Sequence, residues 1–152
     1  MKKVIKTLKR DNSKDGRKAH NDNRYIKVGR VRMNSWINKV LPAADIIISE
    51  RQLVHISTSH SGELQKLGLT ALNYVTSIIN QCNHIRKDTK SGAYVFLIKT
   101  EPIEDKTILQ CAVVELEMKW VNSERVYIIK TAHPENWKRL SILEFVCDNP
   151  RS

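Results

Sequence analysis

IIISERQLVHISTSH, which runs from Ile46 to His60, is the stretch around which the rest of the chain is organised. Its β-branched start is typical of a short buried strand, and the serine that follows can cap a helix. His55 and His60 come next, and on one continuous helix they would point about 140° apart. They can meet on one ligand only if the helix breaks between them. The hydroxyl run Ser57–Ser59, which suits a helix end better than a helix interior, predicts that break.

These two histidines allow two interpretations. Histidine titrates near neutral pH, and two imidazoles at the mouth of a turn could supply the proton transfers that RNA cleavage without a metal requires. Alternatively, His55 is a core or capping residue and His60 simply begins the next helix. The spacing alone favours the structural interpretation, so a catalytic role for the two histidines needs support from other parts of the chain.

Length and composition indicate one globular domain without a membrane span. The chain has 152 residues, of which 41% are hydrophobic and 6% aromatic. No apolar run approaches the ~20 residues that cross a bilayer, and no apolar segment follows the first lysines as in a secretory signal. We therefore expect no membrane partner. The three cysteines have no CxxC spacing and do not suggest a disulfide framework; Cys82 and Cys111 are expected to be buried thiols.

The positive charge lies at one end of the chain. Residues 1–32 hold 12 Lys and Arg against 3 Asp, whereas residues 33–152 hold 14 against 13 acidic residues. This pattern predicts a basic, flexible arm over residues 1–32 and a single balanced domain over residues 33–152. The arm either steers the protein toward phosphate backbones or is a solvated leader, and the sequence leaves both open. Tyr25–Val28 is a candidate short strand within it.

Helical periodicity comes before strand periodicity along the chain. Asn34–Leu41 has the spacing of a short helix, and Glu63–Asn83 that of a long amphipathic helix that Gly68 can divide. Trp137–Phe145 fits either a helix or a strand. Helices followed by an antiparallel meander predict an α+β fold. Alternation with a period of two predicts three strands, the last of them ended by His133 and Pro134: Tyr94–Lys99, Thr107–Trp120 and Arg125–Thr131.

Signatures of nucleotide, serine hydrolase and zinc sites are absent from the sequence. There is no GxGxxG, GxxxxGK[ST], HExxH or GxSxG, and no pair of Cys/His doublets has zinc spacing. His55, His60 and His133 have no acidic residue or cysteine beside them at ligand spacing. We therefore expect neither a metal nor a cofactor.

Two short motifs, LVHISTSH (Leu53–His60) and YIIKTAHP (Tyr127–Pro134), together with the order of elements around them, resemble a ribonuclease superfamily. That superfamily groups barnase, EndoU, colicin and RelE-type enzymes (BECR), and the chain is in particular similar to the versions found in polymorphic toxins and beside phage head genes. The resemblance covers roughly Ile46 to Pro134. It implies N-terminal helices packed on a curved antiparallel β-sheet, with RNA in the concave face.

The same resemblance implies a toxin-like, metal-independent endoribonuclease. Family members often cut tRNA and are restrained by an immunity or antitoxin protein, here expected to be acidic. The expected site of action is the cytoplasm, whether the chain is made there or delivered as the tail of a larger toxin. The family's two helical histidines would fall on His55 and His60, its basic residue on Lys99 or Lys130, and its strand-end hydroxyl on Thr131.

The chemistry of RNA cleavage fits these residue types. RNA supplies its own nucleophile, the 2′-OH, so the enzyme needs a base, an acid and a donor or cation for the phosphate charge. We expect His55 and His60 to transfer protons, and the products to be a 2′,3′-cyclic phosphate and a 5′-hydroxyl. Phosphate contacts and RNA binding are expected from the following residues: Lys99 and Thr131 at the phosphate, and Arg86, Lys130 and His133 along the RNA.

Structural interpretations compete with these assignments. Lys99 can be a lysine that protects a sheet edge, Thr131 an ordinary strand residue, and His133 a turn residue before proline. For the whole chain, a non-catalytic nucleic-acid-binding module and a phage- or mobile-element-encoded protein that binds another protein are the alternatives. Cleavage of tRNA in the presence of EDTA separates the nuclease from both.

Overall fold

The computed structural model describes residues 4–8, 23–99 and 110–150, which form one eight-stranded sheet and four helices. The mixed α and β content is as predicted, with more residues in strands than in helices. The strands are β1 (Val4–Leu8), β2 (Asn23–Val31), β3 (Ala44–Ser49), β4 (His84–Lys87), β5 (Tyr94–Ile98), β6 (Gln110–Val121), β7 (Glu124–Asn136) and β8 (Glu144–Asp148). The helices are α1 (Glu50–Ser59), α2 (Ser61–Leu67), α3 (Ala71–Gln81) and α4 (Trp137–Leu140).

The strand order is β1-β2-β3-β7-β6-β5-β4-β8, and one pair departs from the predicted antiparallel sheet. β3 and β7 are parallel, whereas all other neighbours are antiparallel. A parallel pair needs a crossover, and the chain between β3 and β7 supplies it with helices and further strands. Strands also precede the first helix, so the predicted order of helices before strands is wrong.

β2 belongs to the sheet, although the sequence assigned it to a flexible arm over residues 1–32. Tyr25 is buried, and across the β2–β3 pair Arg30 and Lys27 contact the Asp45 carboxylate at 2.7 and 3.2 Å. Burial opposes ionisation of Asp45, but these two cations outweigh it and lower the pKa of the carboxyl. A boundary at residue 32 therefore separates two paired strands and is wrong. The candidate strand at Tyr25–Val28 is confirmed, and residues 9–22 lie outside the described residues.

The segment predicted as a short helix, Asn34–Leu41, forms consecutive turns instead. The Asn38 side chain accepts a hydrogen bond from the backbone N–H of Asn34 and donates one to the carbonyl of Leu41. Side chains that bond to nearby backbone in this way offer an alternative to helical pairing. The apolar residues still face the core, because Leu41 is buried and Trp36 packs against the same cluster.

α1 begins as predicted and ends later than predicted. The Ser49 Oγ accepts a hydrogen bond from the Gln52 backbone N–H at 3.0 Å. The hydroxyl run does not break the helix, because the Thr58 hydroxyl donates to the carbonyl of Val54 one turn earlier, at 2.9 Å. The helix therefore runs unbroken to Ser59, and the break comes at His60.

The long amphipathic stretch forms two helices, as Gly68 suggested. This glycine ends α2 with a positive φ of 69°, and Thr70 caps α3 by accepting a hydrogen bond from the Asn73 N–H at 3.1 Å. One face of α3 joins the main core with strand residues that include Ile46, Phe96, Leu116 and Tyr127. We call this side of the sheet the inner face. No helix in the described part of the chain is long and apolar enough to cross a membrane.

β6 and β7 form the longest pair, joined by a two-residue turn in which Asn122 and Ser123 have positive φ. β7 does not stop at His133 as predicted but continues to Asn136. Pro134 is tolerated because β7 pairs with β3 only as far as Ile128, and no other described strand pairs with its later residues on that side.

The other side of the sheet, which we call the outer face, carries two smaller apolar clusters. One lies at β2, β3 and β7 around Tyr25, Ile47 and Val126. The other contains Val95, Leu97, Cys111 and Val113 and is covered by Leu140 of α4 and its neighbours. Between them β6 and β7 present polar side chains, so the outer face is open to solvent along its middle.

We predict that Gly29→Ala destabilises the protein. A Cβ at this position of β2 would lie 2.6 Å from the Cγ2 of Ile79, a β-branched and buried side chain of α3 that has little freedom to move. Overpacking of this kind costs about 1–3 kcal/mol. Gly62→Ala is the control, because a Cβ there meets nothing within 4 Å. Urea denaturation measures both. Equal stabilities of the two variants would contradict the packing of α3 against β2.

Candidate functional site

His60 and His133 lie together where the end of α1 meets β7. Their rings stack with centroids 5.7 Å apart and planes 19° apart. His60 is the residue at which α1 ends, and α1 packs against β7. We call these two residues the histidine pair. The sequence assigned one of them to proton transfer and the other to RNA binding, and the structure places them side by side.

Hydrogen bonding fixes which nitrogen of a neutral His133 carries the proton. Its Nδ1 lies 2.8 Å from the carbonyl oxygen of Pro134, which can only accept, so Nδ1–H donates and Nε2 keeps its lone pair. Glu115 lies 4.0 Å from Nε2, and Glu135 lies 3.6 Å from Nδ1. A protonated His133 would therefore have a carboxylate near each nitrogen.

Thr131 lies on the same face as His133. The two are alternate residues of β7, and their partners on β6 are Glu115 and Val113. Residues two apart on a strand point to the same side, so the Thr131 hydroxyl, the His133 ring and the Glu115 carboxylate share one side of the sheet. Thr131 therefore lies on the face that carries His133, and its role at the phosphate stays a prediction.

His55 is not placed beside His60 in the way the sequence predicted. It is exposed on α1, and its Nε2 lies 3.5 Å from the Ser59 hydroxyl. The helix is continuous from His55 to Ser59, and His60 is its non-helical C-cap residue. Val54 is also exposed, and Ile56 is the buried residue of α1. His133 takes the position beside His60 that had been assigned to His55.

Lys130 is tied to a carboxylate on the outer face. Its Nζ lies 3.2 Å from Glu117, which Lys119 approaches at 3.3 Å. Burial opposes ionisation of Glu117, but the hydrogen bonds and charges of the two lysines outweigh it and lower its pKa. Lys130 thus lies three residues before His133 in the chain, and Glu117 partly neutralises its charge.

A second group of side chains surrounds His84, near β4 and β8. His84 is 3% exposed, its Nδ1 contacts the Asp148 carboxylate, and its Nε2 accepts a hydrogen bond from the Arg86 Nε–H at 3.0 Å. We call this group the arginine cluster. It consists of His84, Arg86, Lys99, Trp137, Phe145 and Asp148.

The partners of His84 define its protonation state. Arg86 can only donate, so Nε2 of His84 holds a lone pair and Nδ1–H donates to Asp148. Burial is the largest influence and lowers the pKa of His84; Asp148 acts in the opposite direction, and the charges of Arg86 and Lys99 add to the lowering. His84 is therefore neutral at neutral pH, with both ring nitrogens occupied, and it is suited to holding Arg86 in place.

Two cations of the arginine cluster approach one indole ring. The Arg86 guanidinium carbon lies 5.1 Å from the centroid of the Trp137 ring, and the Lys99 ammonium lies 4.7 Å from it. Phe145 contacts the same guanidinium at 5.7 Å. Lys99 and Arg86, which the sequence placed at the phosphate and along the RNA, are thus together, but they are separate from the histidine pair.

The two groups lie on one register row of the sheet. His133 pairs with Val113, Val113 with Leu97, Leu97 with His84, and His84 with Asp148. Directly paired residues of antiparallel strands point to the same face, so both groups belong to the outer face. Three strand spacings separate His133 from His84, which is about 14 Å.

Sequence reasoning missed His84, Asp148 and Trp137. β4 has only four residues and directly follows a helix, so its alternation is too short to detect. The motif NHIRK, Asn83 to Lys87, does contain a usable signal, because a histidine and an arginine two residues apart face the same way in a strand. Their meeting with Asp148, 64 residues later, depends on the pairing of β4 with β8.

The cysteines offer no activated nucleophile. Burial raises the pKa of Cys82 to about 12 and that of Cys147 to about 11, and it raises the pKa of Cys111 as well. The thiolate is the reactive form of cysteine, and it is scarce at neutral pH in all three. Within the described ranges, no three His, Cys, Asp or Glu side chains are grouped so that they could hold a metal ion.

Comparison of the chain with protein-family models, with curated proteins and with solved structures found no match.

We predict that His84 makes stability depend on pH near neutrality. Because its pKa is lowered in the folded state, the unfolded chain binds a proton first as the pH falls through about 6.5. The free energy of unfolding should therefore decrease between about pH 8 and pH 5.5, and by less in His84→Gln. The carboxyl groups of Asp45 and Glu117 affect the pH dependence of stability only below about pH 4.5, which is outside this window. The midpoints of urea denaturation, measured across this pH range for the native protein and for His84→Gln, give the difference in stability. An identical pH dependence in both proteins would contradict the state assigned to His84.

Proposed function

We propose that the protein is an endoribonuclease that cleaves RNA by attack of the 2′-OH, with the histidine pair as its proton-transfer residues. The observation that carries the proposal is the stacking of His60 on His133, because cleavage of this kind needs a base and an acid near one phosphate. The resemblance to BECR ribonucleases and the packing of helices on one face of a sheet are consistent with it. The mechanism asks for no metal, since RNA carries its own nucleophile.

The hydrogen bonds of the pair suggest how the two roles divide. In neutral His133, the lone pair on Nε2 can accept the proton of the 2′-OH, and Glu115 is placed to stabilise the imidazolium that results. A protonated His60 would then give its proton to the 5′ oxygen that leaves. The Thr131 hydroxyl can donate to a phosphoryl oxygen from the same face. The products would be a 2′,3′-cyclic phosphate and a 5′-hydroxyl.

Charge favours RNA as the partner. The chain has a net charge of +10, most of it in residues 1–32, and this basic stretch can be attracted to phosphates without reading sequence. Single-stranded RNA or a tRNA loop presents bases and 2′-hydroxyl groups that an open sheet face can contact. We propose tRNA as the substrate, the cytoplasm as the site of action, and an acidic immunity or antitoxin protein as the natural inhibitor.

Incubation of the purified protein with total tRNA in EDTA tests this function. We predict discrete fragments for the native protein and a loss of about 10²–10⁴-fold in cleavage rate for His60→Ala and for His133→Ala, because each removes one proton-transfer group. His55→Ala is the matched control, since it removes an exposed imidazole from the same helix, and its rate should stay within about twofold of the native rate.

Two outcomes would reject the assignment. Full activity in both His60→Ala and His133→Ala would exclude the histidine pair, and loss of activity in His55→Ala alone would restore the residue favoured by the sequence. The charge distribution also suits a non-catalytic RNA-binding module, which would give no fragments and a salt-dependent RNA affinity. The absence of both cleavage and RNA binding would favour a protein partner.

A further inference from the structure

We propose that Arg86 and Lys99 form a binding site for a phosphodiester group of RNA, two to three strands from the histidine pair on the same face of the sheet. This inference rests on the proposed function only in naming RNA as the molecule that supplies the phosphate. The site would hold the strand beside the cleavage site and would take no part in proton transfer.

Arg86 is fixed in position before any ligand arrives. Its Nε–H donates to His84, and its Nη1 donates to the carbonyl oxygens of Leu143 at 2.8 Å and Ser141 at 3.3 Å. Aromatic rings of Trp137 and Phe145 pack against the guanidinium. Among the described residues, no acceptor lies within hydrogen-bond distance of Nη2. The guanidinium therefore keeps donors for an anion while its own rotation is restricted.

Lys99 adds a second charge at the same ring. Its backbone is held by Asn83, whose side chain accepts from the Lys99 N–H at 2.8 Å and donates to the Lys99 carbonyl at 2.9 Å. The ammonium lies against Trp137 and is exposed. Within the described ranges, no carboxylate lies within ion-pair distance of it. These contacts define the position of the lysine and do not themselves neutralise its charge.

Five other cations at the outer face each contact a carboxylate directly, whereas Arg86 and Lys99 contact none among the described residues, and this distinguishes the arginine cluster. The carboxylates that make these ion pairs belong to Asp45, Glu117 and Glu135. The cations concerned are Lys27, Arg30, Lys119, Lys130 and Arg139. In the arginine cluster, the Asp148 carboxylate contacts His84 and reaches Arg86 only through that ring, so the described carboxylates make no direct ion pair with either cation.

His84 acts in this site as a positioning residue for Arg86. In the same register row, Leu97 and Val113 are apolar, whereas position 84 holds a buried polar side chain that contacts both Asp148 and Arg86. A buried polar network is costly unless all its members are satisfied, and here it fixes the direction of one guanidinium. Removal of His84 should therefore weaken RNA binding only when Arg86 is present.

The test uses the full-length protein and a fluorescent single-stranded RNA oligonucleotide with 2′-O-methyl groups, which cannot be cleaved by 2′-OH attack. We predict that affinity falls about tenfold in Arg86→Gln and about threefold in Lys99→Gln. The slope of log Kd against log salt should fall by about 0.7 in each, as expected for one lost phosphate contact on a single strand. Lys90→Gln is the charge-matched control, because Lys90 is an exposed lysine in a turn, and it should leave both quantities unchanged.

Further variants separate the possible outcomes. If Arg86→Gln fails to fold, Lys99→Gln still tests the site, because Lys99 is exposed and its replacement should leave the fold intact. His84→Gln should lower affinity in the native background and not in the Arg86→Gln background. Native RNA affinity in both Arg86→Gln and Lys99→Gln overturns the site, even if inorganic phosphate binds to the protein. Weakened binding by both variants in a protein that cleaves no RNA supports the site and rejects the proposed nuclease function.

Discussion

One unpaired residue in the pairing of β6 with β7 decides which side chains reach each face of the sheet. Glu115 pairs with Thr131 and Leu116 with Ile129, so Lys130 has no partner and forms a bulge. Without that extra residue, the alternation of the strand would turn every later side chain to the opposite side. The bulge puts Ala132 into the main core and His133 on the outer face, where the polar residues of β6 lie.

The two faces of the sheet consequently carry different kinds of side chain. On the inner face, α3 and the strands bury a continuous apolar core, and the close contact of Gly29 with Ile79 shows how little space is left there. The outer face carries paired charges along its middle, with the histidine pair where α1 meets β7 and His84 and Arg86 three strands away. This arrangement lets a rigid sheet position both groups.

Local signals in the sequence predicted much of the fold and part of the site. The cap at Ser49 and the division at Gly68 depend on neighbouring residues, and both were predicted correctly. β2 was taken for an arm because its lysine and arginine look solvated until Asp45 is known to lie beside them. His60 and His133 were both candidate site residues, but their pairing was not predicted, because the continuation of β7 past Pro134 depends on where β3 ends. Contacts between distant strands, such as that of His84 with Asp148, leave no local pattern.

Nuclear Overhauser effects from the imidazole protons of His133 test the central claim most directly, because they report which face of the sheet this ring occupies. The register with the bulge at Lys130 predicts contacts from the His133 ring to the methyl groups of Val113 and to the ring of His60. Contacts from the His133 ring to the methyl groups of Val75 or Ile78 in α3 would contradict it, because they would place His133 on the inner face.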